Sequence, residues 1–486
     1  MQKMKKTKIV GTISDIRCDV ELIQKLYDAG LDVVRINSAH ATEEGAATVV
    51  KNARTVCPSI PVMIDTKGPE IRLTKVGDGE GSIMFADGDI VKVKGTADNA
   101  DLITRELIYM NVPSLIEDMN VGNRLLIADG TLELEVLEKN EDHLVCVFKV
   151  GGELKSRKSV NVPGVHVDLP SVTPKDRRFI EWATKADVDF IAHSFVRSAA
   201  DVKAVQDILD ENNSDIKIIS KIENQEGIDN IDEIIEASYA IMVARGDMGV
   251  ELPAEKIPGV QRMIVEKCIA AKRPVIIATQ MVYSMVNSPR PTRAEVSDVA
   301  NAIYGRVDAI MLSDETASGN YPVEAVKTMA KIAREVESDE AQFPSMVDLD
   351  MVSVDCEVTA QLARSAVRSC NNLPIKYIML DTYSGRTGRY MSAFRNKKSV
   401  IAVCYTDRAQ RILNLSFGVI PIKYTKGEYS RYSFLTDAMS YVSNYFPFEK
   451  EDLIAIMGGS FGAKRGASYI EIASIEDINS REAAQK

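Results

Sequence analysis

The chain has 486 residues, too many for one hydrophobic core, and on length about three domains are expected. A net charge of −11 argues against a general nucleic-acid or anionic-membrane surface, so an anionic ligand must be held by a local cluster of Arg and Lys. Seven scattered cysteines without a C-x-x-C pair, no signal-peptide pattern and no run approaching a membrane span predict reduced thiols and a cytoplasmic location.

In chain order, residues 8–13 read as a short strand. A helix follows over 20–29 and is closed by Gly30. The second strand, 33–37, ends in Arg35 and Asn37; Thr42 then caps a helix that runs to Val56. The third strand, 61–65, ends in Asp65-Thr66-Lys67-Gly68-Pro69-Glu70.

The texture then changes. Residues 70–168 show short alternating strands (90–93, 124–127, 132–137, 144–150) with turns at Asp87-Gly88, Asp129-Gly130 and Gly151-Gly152. This predicts a small all-β lid domain, 69–168, inserted after the third strand.

The βα rhythm returns at Thr173, which caps a helix over 175–185. Strands follow at 190–195, 217–222, 240–243, 275–279 and 309–313. With the first three they make eight, the count of a (β/α)8 TIM barrel built from 1–68 and 169–345. After about residue 345 a second βα series begins, with strands at 377–380, 400–403, 419–422, 453–457 and 469–472. It predicts a C-terminal three-layer α/β domain, 346–486. The expected fold class is therefore α/β, with three domains.

Residues 217–249 organise the rest. Two consecutive strands end in carboxylates, Glu223 and Asp247, and Lys221 lies two residues before Glu223, on the same face of its strand. C-terminal strand ends face the active site of a βα barrel, so the two carboxylates converge there. Two hard oxygen ligands with room for water and substrate suit Mg²⁺, and a lysine beside them suits an anionic phosphoryl or enolate species.

The eight strand ends together supply Thr12, Arg35, Asn37, Asp65, Thr66, Ser194, Lys221, Glu223, Asp247, Thr279, Gln280, Ser313 and Glu315. Any one of these alone reads as a cap or a strand-end salt bridge. The set has a theme: a metal pair, two cations and several hydroxyls, which fits phosphoryl transfer. A Mg²⁺-dependent lyase or aldolase would use the same carboxylates and arginine, but a nucleotide lid has no obvious use there. A ligand-binding protein without turnover is the third reading, and Lys221, Glu223, Asp247 and Thr279 together argue against it.

These segments carry a resemblance. Val34-Arg35-Ile36-Asn37, Ile64-Asp65-Thr66-Lys67-Gly68-Pro69-Glu70-Ile71-Arg72, Lys221-Ile222-Glu223-Asn224 and Val243-Ala244-Arg245-Gly246-Asp247-Met248-Gly249-Val250-Glu251 resemble pyruvate kinase. So do Ala278-Thr279-Gln280-Met281, Pro291-Thr292-Arg293-Ala294-Glu295, Ser297-Asp298-Val299-Ala300-Asn301 and Met311-Leu312-Ser313 with Glu315-Thr316-Ala317.

The resemblance implies transfer of a phosphoryl group from phosphoenolpyruvate to ADP. By it, Lys221 stabilises the phosphoryl group in flight and Arg35 grips it. Glu223 and Asp247 hold Mg²⁺ or Mn²⁺. The backbone of Ala244, Arg245, Gly246 and Asp247 receives the substrate carboxylate. Thr279 sits near the carbon that is protonated, with Ser313 and Glu315 as a relay. His40, Arg72, Lys158, Asn37 and Asp129 lie where nucleotide and lid meet. Asn37, Asp65 and Thr66 hold K⁺, and Glu70 goes with K⁺ dependence.

Thr382, Tyr383, Ser384, Gly385, Arg386 and Thr387 form a phosphate cradle for a sugar-phosphate or nucleotide effector, helped by Lys464 and Arg465. A homotetramer is implied. Gly68-Pro69 and Val162-Pro163-Gly164 read as lid hinges. Three departures stand out: Ser14-Asp15-Ile16-Arg17 for a usual Gly-Pro-Ala-Ser, Ser38-Ala39-His40-Ala41 for Phe-Ser-His-Gly, and Asp314 for a glycine.

Overall fold

A computed structural model of the protein describes residues 5–77, 81–98, 100–339, 349–355, 357–424, 438–459 and 466–485. Lys464 and Arg465 fall outside them.

Eight parallel strands close into a barrel in chain order: Lys8–Thr12, Val33–Asn37, Val62–Asp65, Phe190–His193, Lys217–Ile222, Ala240–Ala244, Val275–Ala278 and Ala309–Leu312. The first pairs with the eighth through Lys8↔Ala309 to Gly11↔Leu312. Alternation sorts the side chains. Val10, Met63, Phe190, Ile219, Met242 and Ile276 fill the lumen, and their neighbours along each strand pack outward against the helices. Each fully buried aliphatic is worth roughly 1.5–3 kcal/mol, so the lumen is a packed core and the chemistry is confined to its rim. The returning helices are punctuated as the residues require: Thr173 and Thr292 both form capping boxes, with Asp176 and Glu295 reaching back to them.

Four strands stop earlier than expected, the first of them at Thr12. The fourth ends at His193, the seventh at Ala278 and the eighth at Leu312. Beyond them Phe195, Thr279 and Gln280 take left-handed backbone, with φ of 56°, 69° and 54°. A β-branched residue such as Thr279 there costs of order 1–3 kcal/mol. The chain leaves the ladder to aim these residues at the rim.

Between the third and fourth barrel strands lies an all-β unit. It is a seven-stranded sheet with two small two-stranded sheets around its own core, where Phe85 stacks on Phe148 at 4.4 Å. Gly68, at the entry, has φ +71°, and a Cβ there would press on Ser194 and Phe195 at 2.9 and 2.8 Å. Only glycine fits that passage.

The C-terminal unit is a five-stranded sheet. Its last strand, Tyr469–Ser474, runs antiparallel to Leu453–Gly458 because the connection is too short for a crossover helix. Its residues Ile412 and Leu415 join the lumen cluster and so close the N-terminal mouth of the barrel. Buried ion pairs fasten it there: Arg395 Nη2 to Asp308 Oδ2 at 2.5 Å and Arg411 Nε to Asp189 Oδ1 at 2.7 Å. Among the described residues no helix is long and apolar enough to cross a membrane.

Candidate active site

At the C-terminal mouth the fifth strand presents Lys221, buried, with its ammonium 3.0 Å from Asp65 Oδ1, 3.0 Å from Glu223 Oε1 and 2.6 Å from Ser194 Oγ. Ser194 also reaches Asp65 Oδ1 at 3.3 Å. The second strand presents Arg35, which donates from Nε to Asp65 Oδ2 at 2.6 Å and from Nη1 to Thr12 Oγ1 at 2.8 Å. Asp65, on the third strand, thus binds cations from the second and fifth strands and fixes their spacing. Burial disfavours the charge of Lys221, but Asp65 and Glu223 more than reverse this and hold it protonated above the usual lysine range.

Glu223 is the strained member. Burial pushes its carboxyl up to about 7; Lys221 pulls it down, while Asp247 pushes it further up. Its Oε2 accepts from Phe195 N–H at 2.6 Å, whereas Oε1 is buried and, beyond its ion-pair distance to Lys221, makes no hydrogen bond with a described residue. A divalent cation fits this donor set, since it would engage that oxygen and remove the repulsion from Asp247. Among the described residues there is no group of three or more His, Cys, Asp or Glu side chains suited to a metal. The pair leaves most of the coordination sphere to water and substrate.

Glu223 and Asp247 open onto a cavity of about 540 Å³ between the barrel and the β unit. Arg72 and Asp129 line it from the β side. His40, Lys158 and Asn37 do not line it, and His40 and Lys158 are exposed. The cavity also takes in Glu251, Glu226, Arg197 and Asn161. The sequence reading missed these, although Glu251 stands four residues after Asp247 and so shares its helix face. Cross-bridges tie the two units: Asn161 Nδ2 to Glu251 Oε1 at 3.3 Å, and His166 Nδ1 to Glu226 Oε2 at 2.9 Å.

The sixth strand runs into the helix Arg245–Glu251 after Ala244. Gly246 N–H already donates to Thr279 Oγ1 at 2.7 Å, so the left-handed turn of Thr279 is locked onto this helix start. Arg245 points away from the cavity and holds the same turn, donating to Thr279 O at 2.8 Å and pairing with Asp298 at 2.8 Å. Glu315 is buried, and burial raises its pKa. It accepts from Ser313 N–H at 2.8 Å and Val282 N–H at 3.3 Å, which makes it an anchor for the loops around Thr279. Asp314 is exposed, so its extra charge is solvated.

The corner of Asn37, Asp65 and Thr66, expected from the sequence to hold K⁺, is tied together by hydrogen bonds. Asn37 Oδ1 accepts from Ala39 N–H at 3.0 Å, and Thr66 O accepts from Ser194 Oγ at 2.7 Å. Ser38 is buried and its hydroxyl makes no hydrogen bond with a described residue. Lys175 Nζ donates to Ala39 O at 3.0 Å. Glu70 is engaged by Arg72 at 2.7 Å and Lys67 at 3.1 Å, and its pKa is lowered because these cations outweigh its burial. The first-loop departure is also accommodated: Asp15 Oδ2 caps Thr42 N–H at 3.2 Å, against Gly45, where a Cβ would meet it at 2.4 Å.

A carboxylate pair and two paired cations thus meet at the rim beneath a β-covered cavity. A family model for the pyruvate kinase barrel domain matches residues 4–326, and one for the pyruvate kinase alpha/beta domain matches 360–473. The chain belongs to the pyruvate kinase family. A pyruvate kinase of Borreliella burgdorferi is 43% identical over 477 residues, covering 97% of this chain and 98% of its own. One of Bacillus licheniformis is 42% identical, covering 98% and 81%. The crystal structure of a pyruvate kinase from Cryptosporidium parvum superposes with a TM-score of 0.90 at 34% identity, covering 97% and 96% of the two chains. The Cryptosporidium parvum structure thus shares this chain's frame over nearly all of both chains.

Proposed function

We infer that the chain is a glycolytic phosphotransferase that moves the phosphoryl group of phosphoenolpyruvate to ADP, giving pyruvate and ATP, with Lys221, Arg35, Glu223 and Asp247 at the centre. The observation that carries the residue roles is the Asp65-centred pair of cations beside an under-bonded Glu223.

Arg35 offers a planar fork to the phosphoryl oxygens while Asp65 and Thr12 hold it in place. Lys221 stays charged and faces the group in flight, where negative charge spreads over the transferring oxygens. Glu223 and Asp247 would hold Mg²⁺ or Mn²⁺, which supplies charge neutralisation at the reacting oxygens when bound. The backbone at Ala244 and Asp247 receives the substrate carboxylate; Gly246 joins only if Thr279 releases it.

Thr279 Oγ1 stands at the protonation side, and a hydroxyl is too weak an acid to act without a water chain. Ser313 and Glu315 position that side. Arg72 and Asp129, with His40, Lys158 and Asn37 approaching on closure, serve the nucleotide. Asn37, Asp65 and Thr66 would hold K⁺, and a water could stand in for the serine hydroxyl that Ala39 lacks.

Residues 1–68 and 169–345 carry the catalysis, 69–168 the lid and 346–486 the regulation. The cradle of Thr382, Tyr383, Ser384, Gly385, Arg386 and Thr387 takes a phosphate-bearing effector. Tyr383 and Ser384 are exposed, Gly385 N–H is capped by Thr382 Oγ1 at 3.0 Å, and Thr387 is buried beneath them. The reading includes a cytoplasmic homotetramer.

The test is a coupled assay with phosphoenolpyruvate, ADP, Mg²⁺ and K⁺. Pyruvate release that needs ADP supports the reading; release without ADP would favour a phosphatase or lyase.

A further inference from the structure

The opposite mouth of the barrel carries cations without counter-charges. Lys217 opens the fifth strand, Tyr239 immediately precedes the sixth, and Arg273 lies two residues before the seventh. These strands are neighbours, so the three residues share one arc of the N-terminal rim. The helix Arg386–Ala393 sends Arg389 onto this arc. Its guanidinium lies 5.5 Å from the Tyr239 ring centroid and 5.2 Å from that of Tyr390, and Nη1 donates to Lys272 O at 2.5 Å. Lys272 Nζ sits 5.3 Å over the same Tyr390 ring.

Neutralising partners are missing. Among the described residues no carboxylate lies within ion-pair distance of Lys217, Arg273 or Arg389. Arg273 donates only to the Glu236 carbonyl, at 2.8 Å. Of the nearby acids, Asp215 pairs with Arg408 at 3.1 Å, Asp308 with Arg395 at 2.5 Å and Glu357 with Arg386 at 3.0 Å, leaving Lys272 at 3.8 Å, while exposed Asp355 acts on Lys272 beyond ion-pair distance. The Tyr239 hydroxyl is buried and makes no hydrogen bond with a described residue. Burial, with Arg389 as a like charge beside each, lowers the pKa of Lys217, Lys272 and Arg273 alike. A half-buried set of like charges around an unpaired hydroxyl calls for an anion.

We propose that this rim, between the N-terminal ends of the fifth to seventh barrel strands and the helix Arg386–Ala393, binds a phosphate dianion, either inorganic or as a phosphomonoester. Its several oxygens would accept from the planar fork of Arg389, the ammonium of Lys217 and the Tyr239 O–H, contacts that a single chloride cannot divide among them. The site is separate from the Thr382–Thr387 cradle, but the same helix starts at that loop. An anion here would pin the helix to the barrel.

The test is equilibrium dialysis of radiolabelled inorganic phosphate against the full chain at constant ionic strength, comparing wild type, the Lys217→Met/Arg273→Met double variant and Ser384→Ala. Wild type and Ser384→Ala should bind one phosphate per chain more than the double variant. Lys217→Met alone, for use if the double variant does not fold, should weaken that site about tenfold, the scale of one charge-assisted contact. Competition by ribose 5-phosphate at that site would mark it as a phosphomonoester site; no competition would mark it as one for inorganic phosphate. Equal stoichiometry in wild type and double variant, or loss confined to Ser384→Ala, would overturn the proposal.

Discussion

Lys217 and Lys221 lie on one strand and, four residues apart, on one face of it, yet they meet opposite environments. Lys221 has Asp65 and Glu223 at 3.0 Å and is held charged; Lys217 has no ion pair among the described residues and its pKa is lowered. The two mouths of the barrel are unbalanced in opposite senses. The catalytic mouth has Asp65, Glu223 and Asp247 against Lys221 and Arg35, a surplus that a divalent cation would offset. The far mouth gathers Lys217, Lys272, Arg273 and Arg389 with few acids left to meet them. Charge left unpaired at a half-buried rim is costly, so each surplus points to a ligand of the other sign.

The largest effect should come from Lys221→Met, which keeps the chain length and removes the charge. kcat should fall by roughly 10²–10⁴ with KM little changed, as for loss of one transition-state donor. An unchanged kcat would break the comparison at its catalytic end.

Next in size is Arg395→Met at the far mouth. There the cation is matched, and removing it strands buried Asp308. A loss of about 3–5 kcal/mol is expected, read from the urea midpoint. A change below about 1 kcal/mol, the scale of surface pairs, would mean that this clasp does not hold the C-terminal unit.

Glu70→Lys should lower the K⁺ needed for half-maximal turnover by about tenfold, the order of one relocated charge near a phosphate path. The assay is a KCl titration in tetramethylammonium buffer at constant ionic strength. Full activity of the wild type without K⁺ would instead assign the needed charge to Lys175, beside the Ala39 carbonyl.

The smallest effect sharpens the contrast most. Lys217→Met should raise the melting temperature by about 1–2 °C in phosphate-free, low-salt buffer, a fraction of the shift per kcal/mol typical of domains this size. The sign follows from the lowered pKa. Below the folded pKa the lysine is charged in both the folded and unfolded states, and the folded state bears the cost. As pH rises through the folded pKa towards the ordinary lysine value the folded state sheds its proton first and the cost disappears. The gap between variant and wild type should therefore close at alkaline pH. A variant less stable than wild type at pH 7 would show that Lys217 is satisfied.

Much of the catalytic mouth was legible because barrel strands place their last residues on one rim, so Lys221, Glu223 and Asp247 could be read from strand ends alone. What escaped was what bends the chain beyond the ladder. Thr279 and Phe195 were read as strand residues, and nothing in a Thr or a Phe announces left-handed backbone. The Arg245 side chain is held by Asp298 and the Thr279 carbonyl, a pairing across 53 residues that no local pattern encodes. The far mouth was invisible for a related reason: Lys217, Tyr239, Arg273 and Arg389 lie far apart in sequence, and only the barrel and the C-terminal helix bring them together.

The central claim is that the carboxylate surplus beside Lys221 is a metal site independent of the far mouth. Mn²⁺ binding followed by electron paramagnetic resonance, without substrate, tests it in wild type, Glu223→Gln and Lys217→Met. Wild type and Lys217→Met should bind Mn²⁺ with equal affinity, and Glu223→Gln at least about tenfold more weakly, the scale of losing one ligand contact. Equal binding by Glu223→Gln and wild type would contradict the account.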